Sequence, residues 1–358
     1  MEPSESPSEP LKAGKGISLD EFAARLGLAV GTVSRALNGN KRVSEATRAR
    51  VAAAARELGY TPSPLARGLR VGRSGLVGIC FYVSSPNRNM ILSTQLYALH
   101  QALQKAGKRT LVEFSAWGYD HKVRALDHFF AMRAEGIVHV GSFPDELLTY
   151  LERIRTRGVP YVLLNPERSG LPFSVGLDRV AAYEKLTEHL LELGHRRFLL
   201  LGMYPGNFNH DSRMEGVRRR VEAYGLRFDE CVRSCFEQPL PNERSADFGY
   251  RLAETFFPLF EGVTACMASN DDVAVGVIAF LKSRGIQVPR DISVVGFDDT
   301  LPHNDPTLTT ISHEIEVTAE KAVEMLLKAS ASGAAEELAP VLVEPILHTR
   351  ASSGPAPL

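Results

Sequence analysis

The chain has 358 residues, of which 44% are hydrophobic and 23% are charged, so its composition is that of an ordinary globular protein with two or three domains. Its sequence has no apolar run long enough to span a membrane, and its first residues lack the apolar core of a secretory signal. The four cysteines form no CxxC pair. We therefore expect reduced thiols, no metal site, no cofactor and a cytoplasmic location.

The net charge of −1 hides an asymmetry along the chain. Residues 15–73 contain eleven Lys and Arg against four Asp and Glu, whereas the longer remainder is acidic. A basic block confined to one segment favours a polyanionic partner. Residues 1–15 are rich in Pro, Ser and Glu, and we predict a disordered tail there.

Three helical patterns follow one another in residues 16–61. Ser18 and Glu21 form a capping-box pattern, and Gly27 ends the first helix. A second helix is predicted over residues 29–37 and a third over residues 44–58. Two helices joined by a tight turn and braced by a third are typical of a helix-turn-helix headpiece.

In a helix-turn-helix the second helix enters the major groove of DNA with its first turns against the bases. Arg35 could then bind guanine through its O6 and N7 atoms. An ordinary three-helix domain with surface arginines is the alternative. The predicted DNA-binding residues of this helix are Val30, Gly31, Thr32, Ser34, Arg35 and Asn38.

Residues 62–73 carry a short helical pattern with Pro64 at its first position. So short a helix is marginal alone in water, but two copies could fold together on DNA. Leu69 would then wedge into a minor-groove step, with Arg67 facing phosphate. A proline-containing linker is the alternative.

The stretches "TVSRALNG", "VSEATRARV" and "ELGYTPSPLARGL" resemble the headpiece and hinge of the lactose-repressor/galactose-repressor family of transcriptional regulators. The resemblance implies that Val30, Gly31 and Arg35 read bases and that Leu69 is the intercalating leucine of the hinge. Ala29 departs from the Ser or Thr usual at the start of the recognition helix, which weakens the cap there.

From residue 74 onward, short apolar runs alternate with amphipathic helical stretches, which indicates doubly wound parallel sheets. Two such sheets would form two lobes with a ligand cleft between them. The resemblance implies a periplasmic-binding-protein-like core over residues 74–350. We predict a first lobe of about 74–176 plus 308–330, a second of about 177–307 plus 336–350, and a tail at 351–358. Predicted strands are 76–83, 109–114, 136–140, 160–164, 197–201, 265–268 and 292–296.

Ligands of such sheets bind beyond the carboxyl ends of the strands. Asn, Asp and Arg side chains beside aromatic rings at those ends suit a sugar or polyol. Three of the candidates have a plainer alternative: Asn270 as a helix cap, Arg213 as a solvated charge, and Asp298 as a turn residue. The predicted effector-binding residues are Tyr82, Ser142, Phe143, Asn165, Arg213, Asn270 and Asp298.

The family resemblance continues through "LLELGHRRFLLLG", "SRMEGV", "ASNDDVAVGV" and "PRDISVVGFDD". It implies that Asn165, Arg213, Asn270 and Asp298 contact an effector, although Asn165 departs from the Asp of some sugar-responsive members. It also implies a ligand-controlled repressor that binds a near-palindromic operator as a homodimer, since leucine heptads for tetramer formation are absent.

An enzyme and a sugar-binding receptor are the two alternative classes of protein. The sequence has no GxSxG, HExxH, GxxxxGK[ST] or post-strand GxGxxG motif, so we do not expect an enzyme. A two-lobe sugar-binding receptor without a DNA role is the alternative to a repressor. The basic headpiece argues against it.

Overall fold

The structure of the protein is a computed structural model that describes residues 17–60, 74–82, 90–115, 119–141, 145–166, 168, 170–203, 208–240, 243–300, 307–333 and 336–357. The chain divides into two compact units, residues 1–74 and 75–358. The predicted tail at 1–15 and the predicted hinge at 62–73, with Arg67 and Leu69, lie outside the described residues. No helix among those ranges is long and apolar enough to cross a membrane.

The first unit contains the three predicted helices, α1 (Leu19–Leu26), α2 (Val30–Leu37) and α3 (Glu45–Glu57). The capping box is formed, with reciprocal hydrogen bonds between Ser18 and Glu21. Gly27 ends α1 in the left-handed conformation at φ 64°, which glycine adopts without steric cost. The helices share a small apolar core centred on stacked Phe22 and Tyr60 rings, 4.2 Å apart.

In the second unit, alternating apolar runs form the strands and amphipathic stretches form the helices. Its described strands are β1 (Leu76–Tyr82), β2 (Arg109–Ser115), β3 (Ile137–Val140), β4 (Tyr161–Leu164), β5 (Ser174–Leu177), β6 (Phe198–Leu201), β7 (Val232–Cys235), β8 (Ala265–Ala268), β9 (Ser293–Val295), β10 (Thr310–Ser312), β11 (Val341–Val343) and β12 (Ile346–His348). Its described helices are α4 (Met90–Lys105), α5 (Tyr119–Ala131), α6 (Asp145–Arg155), α7 (Arg179–Glu192), α8 (Phe208–Ala223), α9 (Phe228–Cys231), α10 (Ser245–Thr255), α11 (Asp271–Ser283) and α12 (Ile315–Ser332). All seven predicted strands are present, with small shifts at their ends.

Ten of the described strands form two parallel sheets, as predicted, and β10 and β12 form a separate antiparallel pair. The first sheet has the order β11-β5-β4-β3-β1-β2 and the second has β7-β6-β8-β9. One face of the second sheet packs on α7 and α8, and the other packs on α10 and α11. Each sheet with its helices is one lobe, so the fold is the predicted two-lobe α/β architecture.

The end of the chain crosses between the lobes at later residues than predicted. Ile311 of β10 is buried in the core of the second lobe, whereas residues 308–330 were assigned to the first. Strand β11 pairs with β5 in the first sheet, whereas residues 336–350 were assigned to the second lobe. These corrections have one cause: β10 pairs with β12 on the second lobe, and the intervening α12 and β11 pack on the first.

Residues 351–357 do not form the free tail that was predicted. The Ser352 hydroxyl donates to the Val294 carbonyl at 2.6 Å and accepts from the Thr309 amide at 2.8 Å. Gly354 and Ala356 continue the contact through hydrogen bonds to Ser293 and Leu193. The segment therefore extends the second lobe beside β9.

Candidate DNA-reading helix and candidate effector site

Helix α2 presents a polar face in the first unit. Val33 and Ala36 point into the headpiece core, and Gly31, Arg35 and Asn38 are exposed on the opposite side. Residues four and seven apart lie on one side of a helix, so these three form a continuous strip. The other predicted DNA-binding residues of α2, namely Val30, Thr32 and Ser34, are partly exposed beside that strip.

The Arg35 side chain folds back along α2. Its Nε atom donates to the Gly31 carbonyl at 3.0 Å. This bond engages Nε and directs the guanidinium toward the first turn, the part of a recognition helix that lies nearest the bases. A Cβ atom at Gly31 would lie 3.8 Å from Nη2 of Arg35, so glycine keeps the space beside the guanidinium open.

The start of α2 is weakly capped, as the sequence predicted. Ala29 is the N-cap residue, and it makes no side-chain hydrogen bond to the helix, whereas Ser18 and Ser44 cap α1 and α3. A hydroxyl at position 29 would satisfy one of the free amide groups of the first turn.

We expect Ala29→Ser to stabilise α2 by about 1 kcal/mol, because a serine at an N-cap is worth roughly that much over alanine. Hydrogen exchange of the full-length protein, measured by mass spectrometry, should show slower exchange of residues 30–37. Ala53→Ser, at an exposed position inside α3, is the control and should bring no such gain. Equal protection in wild type and Ala29→Ser would contradict the capping argument.

The candidate effector site lies at the carboxyl ends of the strands in the second unit. In the second sheet β6 connects to β7 on one side and β8 connects to β9 on the other, so the connections that leave the adjacent strands β6 and β8 run in opposite directions. Such switch points form crevices in open α/β sheets. Arg213 of α8 lies at this edge, where its Nη1 atom donates to the Ser269 carbonyl, just after β8, at 2.5 Å.

Arg213 is not the solvated helix charge of the alternative interpretation, because only 8% of the residue is exposed. Its guanidinium carbon lies 4.1 Å from the centre of the Phe297 ring and 5.6 Å from that of Tyr183. The two rings stack at 5.4 Å and are fully buried. Cation–π contacts of this kind fix the plane of the guanidinium and leave its edge for hydrogen bonds.

Asp298 follows β9 and lies in the same site. It is 6% exposed and has φ 115°, a backbone conformation that non-glycine residues rarely adopt and that is often found at functional sites. Its Oδ1 atom lies 2.8 Å from Nε2 of His313, a buried residue just after β10. His313 also meets the Phe297 ring edge-on at 4.9 Å, so it braces both groups.

Asp271 is a second buried carboxyl group beside Asp298. Burial, followed by the nearby charge of Asp298, raises the pKa of Asp271 to about 8. The carboxyl is therefore largely protonated at neutral pH. It accepts hydrogen bonds from the Thr310 hydroxyl at 2.6 Å and the Thr300 amide at 3.0 Å, which tie α11 to the strands around the cleft.

Asn270 has the capping role of the plainer interpretation. Its Oδ1 atom accepts a hydrogen bond from the Val273 amide at 2.9 Å at the start of α11. An effector contact by Asn270 stays a prediction.

Asn165 follows β4 in the first lobe. It is 7% exposed, and within the described part of the chain neither its Nδ2 nor its Oδ1 atom has a hydrogen-bond partner. A buried amide left unpaired costs about 1–3 kcal/mol. An effector group would satisfy it.

Of the other predicted effector residues, Ser142 and Phe143 lie outside the described residues, and Tyr82 is described only as the last residue of β1. The structure brings Arg213 and Asp298 together, and it adds Tyr183 and His313, which the sequence analysis did not single out. Tyr183 lies inside an amphipathic helix and His313 after a three-residue strand, so neither position carried a local signal.

Two family models match the chain: "Bacterial regulatory proteins, lacI family" over residues 18–63 and "Periplasmic binding protein-like domain" over residues 187–353. The HTH-type transcriptional regulator MalR of Streptomyces coelicolor is 30% identical, covering 95% of this chain and 97% of the relative. The HTH-type transcriptional regulator GntR of Pseudomonas aeruginosa is 31% identical, covering 87% and 88%.

A crystal structure of the Lac repressor dimer bound to operator and the anti-inducer ONPF has the same fold, with a TM-score of 0.78 and 25% sequence identity. The match covers 95% of this chain and 100% of that chain. The predicted family and fold are thus confirmed. The chain belongs to the LacI family of bacterial regulatory proteins, and it is a DNA-binding transcriptional regulator rather than an enzyme.

Proposed function

We propose that this regulator is a repressor that binds a near-palindromic operator as a homodimer and is controlled by a small-molecule effector, a sugar or sugar derivative, in the cleft between its lobes. The observation that carries the proposal is the Arg213 guanidinium held on the Phe297 ring beside Asp298. A sugar-like molecule needs this combination of directed polar groups and apolar surface.

Effector control requires the effector to prefer one arrangement of the lobes. Groups that could sense such an arrangement come from both lobes: Asn165 from the first, and Arg213 and Asp298 from the second. His313 lies between β10 on the second lobe and α12 on the first, and it touches Asp298. A ligand that contacts both lobes would therefore also contact the region where the chain crosses from the second lobe to the first.

The DNA side of the proposal rests on the exposed strip of α2. A two-fold dimer would place two such strips in successive major grooves, about one helical turn apart. The Lac repressor that resembles this chain was crystallised as a dimer on its operator. Release of DNA by the effector is the form of control that we propose.

Arg35→Ala tests the DNA-reading role. Operator sequences are first selected from random DNA with the full-length protein, and binding is then measured by fluorescence anisotropy. Loss of a bidentate arginine–guanine contact costs about 1–3 kcal/mol, so we expect affinity to fall by roughly 5- to 150-fold and preference to relax at one base pair in each half-site.

The control for this experiment is Arg56→Ala, at an exposed position near the end of α3. It removes the same charge without touching α2, so sequence preference should stay unchanged. Unaltered affinity and preference in Arg35→Ala would show that α2 does not read bases through this residue. Binding that is insensitive to both sequence and salt would contradict the proposed operator role itself.

A further inference from the structure

His313 is a buried histidine beside Asp298, at the point where the chain crosses from the second lobe to the first. It follows β10, which pairs with β12 on the second lobe, and precedes α12 by one residue, Glu314. With only 4% of the residue exposed, His313 offers a ligand almost no surface of its own. Any effect of His313 on a ligand in the cleft must therefore pass through its neighbours.

Backbone and side-chain contacts both join Asp298 to the strand that leads into His313. The Asp298 amide donates to the Ile311 carbonyl at 2.9 Å, and a β-bridge pairs Asp298 with Ser312. In the side chains, Oδ1 of Asp298 lies 2.8 Å from Nε2 of His313, which is a hydrogen-bond distance. The backbone contacts thus keep the two residues side by side, and the imidazole determines where the carboxylate points.

The imidazole is itself held in place. Its ring meets the Phe297 ring at 86°, with 4.9 Å between the ring centres, and the Phe297 ring is fully buried. Asp298, the residue after Phe297, has the rare backbone angle φ 115°. Both members of the pair are therefore fixed before a ligand arrives, one by packing and the other by its backbone.

His313 is neutral at neutral pH. Burial lowers its pKa most, the Asp298 carboxylate acts against burial, and the charges of Arg179 and Arg213 lower the pKa further. Its Nδ1 atom has no hydrogen-bond partner within the described part of the chain, so a second proton on the ring would find no acceptor there. The one ring proton is therefore best placed on Nε2, which faces Asp298.

An N–H group on Oδ1 fixes the plane of the Asp298 carboxylate. A carboxylate has about four acceptor positions on its two oxygens, so a single donor leaves acceptor capacity for hydroxyl groups of a ligand. Without the imidazole the carboxylate could turn about its side-chain bonds, and a ligand would have to order it on binding. That ordering would cost affinity.

We propose that His313 is a positioning residue for effector binding: it holds the Asp298 carboxylate in the orientation that accepts hydrogen bonds from hydroxyl groups of the effector. The inference rests on the proposed effector control and extends it to a residue behind the ligand-contacting groups. His313 acts through Asp298, so its contribution to ligand affinity should disappear when Asp298 is changed.

Calorimetric titration of the full-length protein with D-glucose, D-galactose, D-ribose, maltose and cellobiose supplies the probe, namely the sugar that binds most tightly. His313→Leu keeps the bulk of the side chain and removes the donor. It should weaken binding of that sugar by roughly 10- to 150-fold, the range for hydrogen bonds to charged groups. His313→Gln carries an N–H group that can reach the place of Nε2, so it should recover most of the loss. Wild-type affinity in His313→Leu would overturn the inference.

A double-mutant cycle separates positioning from a general structural role. In the Asp298→Asn background, His313→Leu should cost no further affinity, and a full further loss would show that His313 acts independently of Asp298. His348→Leu is the matched control, because Nε2 of His348 lies 3.5 Å from Oδ2 of the neighbouring Asp299 at a partly exposed position. That control should leave sugar binding unchanged, and every variant should bind the selected operator like the wild type when no sugar is present.

Nitrogen-15 NMR of histidine-labelled protein without ligand tests the arrangement directly. We expect His313, assigned through His313→Gln, to show the neutral Nε2–H form at neutral pH, with a resonance that shifts in Asp298→Asn. The Nδ1–H form, or a resonance that ignores Asp298→Asn, would overturn the inference.

The two experiments together distinguish this inference from the proposed function. If the spectrum is as expected and no sugar of the panel binds, the proposed sugar effector is wrong, whereas the positioning of Asp298 by His313 stands. If a sugar binds and releases the operator equally well in wild type and His313→Leu, the effector control stands and the positioning role is wrong.

Discussion

Arg213→Ala should weaken effector binding by at least about 100-fold and leave the operator affinity of the ligand-free protein unchanged. Removing one member of a buried, charge-assisted contact costs roughly 3–5 kcal/mol. The alanine would also uncover the Phe297 ring, on which the guanidinium lies at 4.1 Å. The Ser269 carbonyl would lose its donor at the same time.

Thermal unfolding in the presence of ligand measures this loss. A ligand at 100 times its dissociation constant stabilises the wild type by about 2.7 kcal/mol, and a 100-fold weaker interaction removes most of that gain. Arg213→Lys retains the charge without the planar group, so it should recover only part of the affinity. Arg219→Ala, at an exposed position on the same helix α8, is the control and should leave ligand binding unchanged. Full stabilisation of Arg213→Ala by the ligand would remove Arg213 from the effector site.

Gly276→Ala should lower the free energy of unfolding of the second lobe by about 3 kcal/mol or more. Helices α10 and α11 cross so closely that a Cβ atom at Gly276 would lie 2.0 Å from the Ala246 carbonyl oxygen and 2.6 Å from the Tyr250 nitrogen. Both are backbone atoms, which cannot move aside as a flexible side chain can. A Cβ atom at Gly249 would likewise lie 2.2 Å from the Val273 carbonyl oxygen.

Urea unfolding of the full-length protein, followed by circular dichroism, gives the change in stability. Val275→Ala provides the matched control, because Val275 is the neighbouring residue on α11 and is 37% exposed. That control should change stability by well under 1 kcal/mol. A similar small change in Gly276→Ala would mean that the helices separate at little cost, contrary to the close crossing described above.

Local signals explain why so much of the fold could be predicted. The capping box of Ser18 and Glu21 lies within four residues of sequence. The periodic apolar patterns that indicate strands and helices likewise extend over short stretches of the chain. Strand β8 begins and ends at the predicted residues because four consecutive apolar side chains are buried on both faces of a parallel sheet.

The wrong predictions, of the lobe of β11 and of a tail at the end of the chain, concern residues whose contacts are distant in sequence. Strand β11 has three residues, and it joins β5, which lies more than 160 positions earlier, so nothing in its own sequence indicates its lobe. The Ser-, Gly- and Pro-rich residues 351–357 have the composition of a flexible tail, yet Ser352 makes buried hydrogen bonds to Val294 and Thr309. Such partners become visible only when the fold brings them together.

In the candidate site, too, roles that depend on neighbours in sequence could be predicted, and roles that depend on distant residues could not. Asn270 could be recognised as a helix cap from its position before an apolar helix, and it caps α11. Arg213 could not be separated from the other arginines of "DSRMEGVRRR", because its burial depends on Phe297, which is 84 positions away. The family resemblance selected Arg213; the structure gives it an aromatic support and a buried environment.

The central claim is that a ligand bound in the cleft changes the affinity of the headpiece for its operator. The most direct test is the affinity of the full-length protein for its selected operator, measured by fluorescence anisotropy with and without each ligand that stabilises the protein. We predict that at least one sugar derivative lowers operator affinity by 5- to 150-fold, the usual range of allosteric coupling, and that Arg213→Ala removes the effect. Operator affinity that stays the same at saturating concentrations of every stabilising ligand would contradict the account.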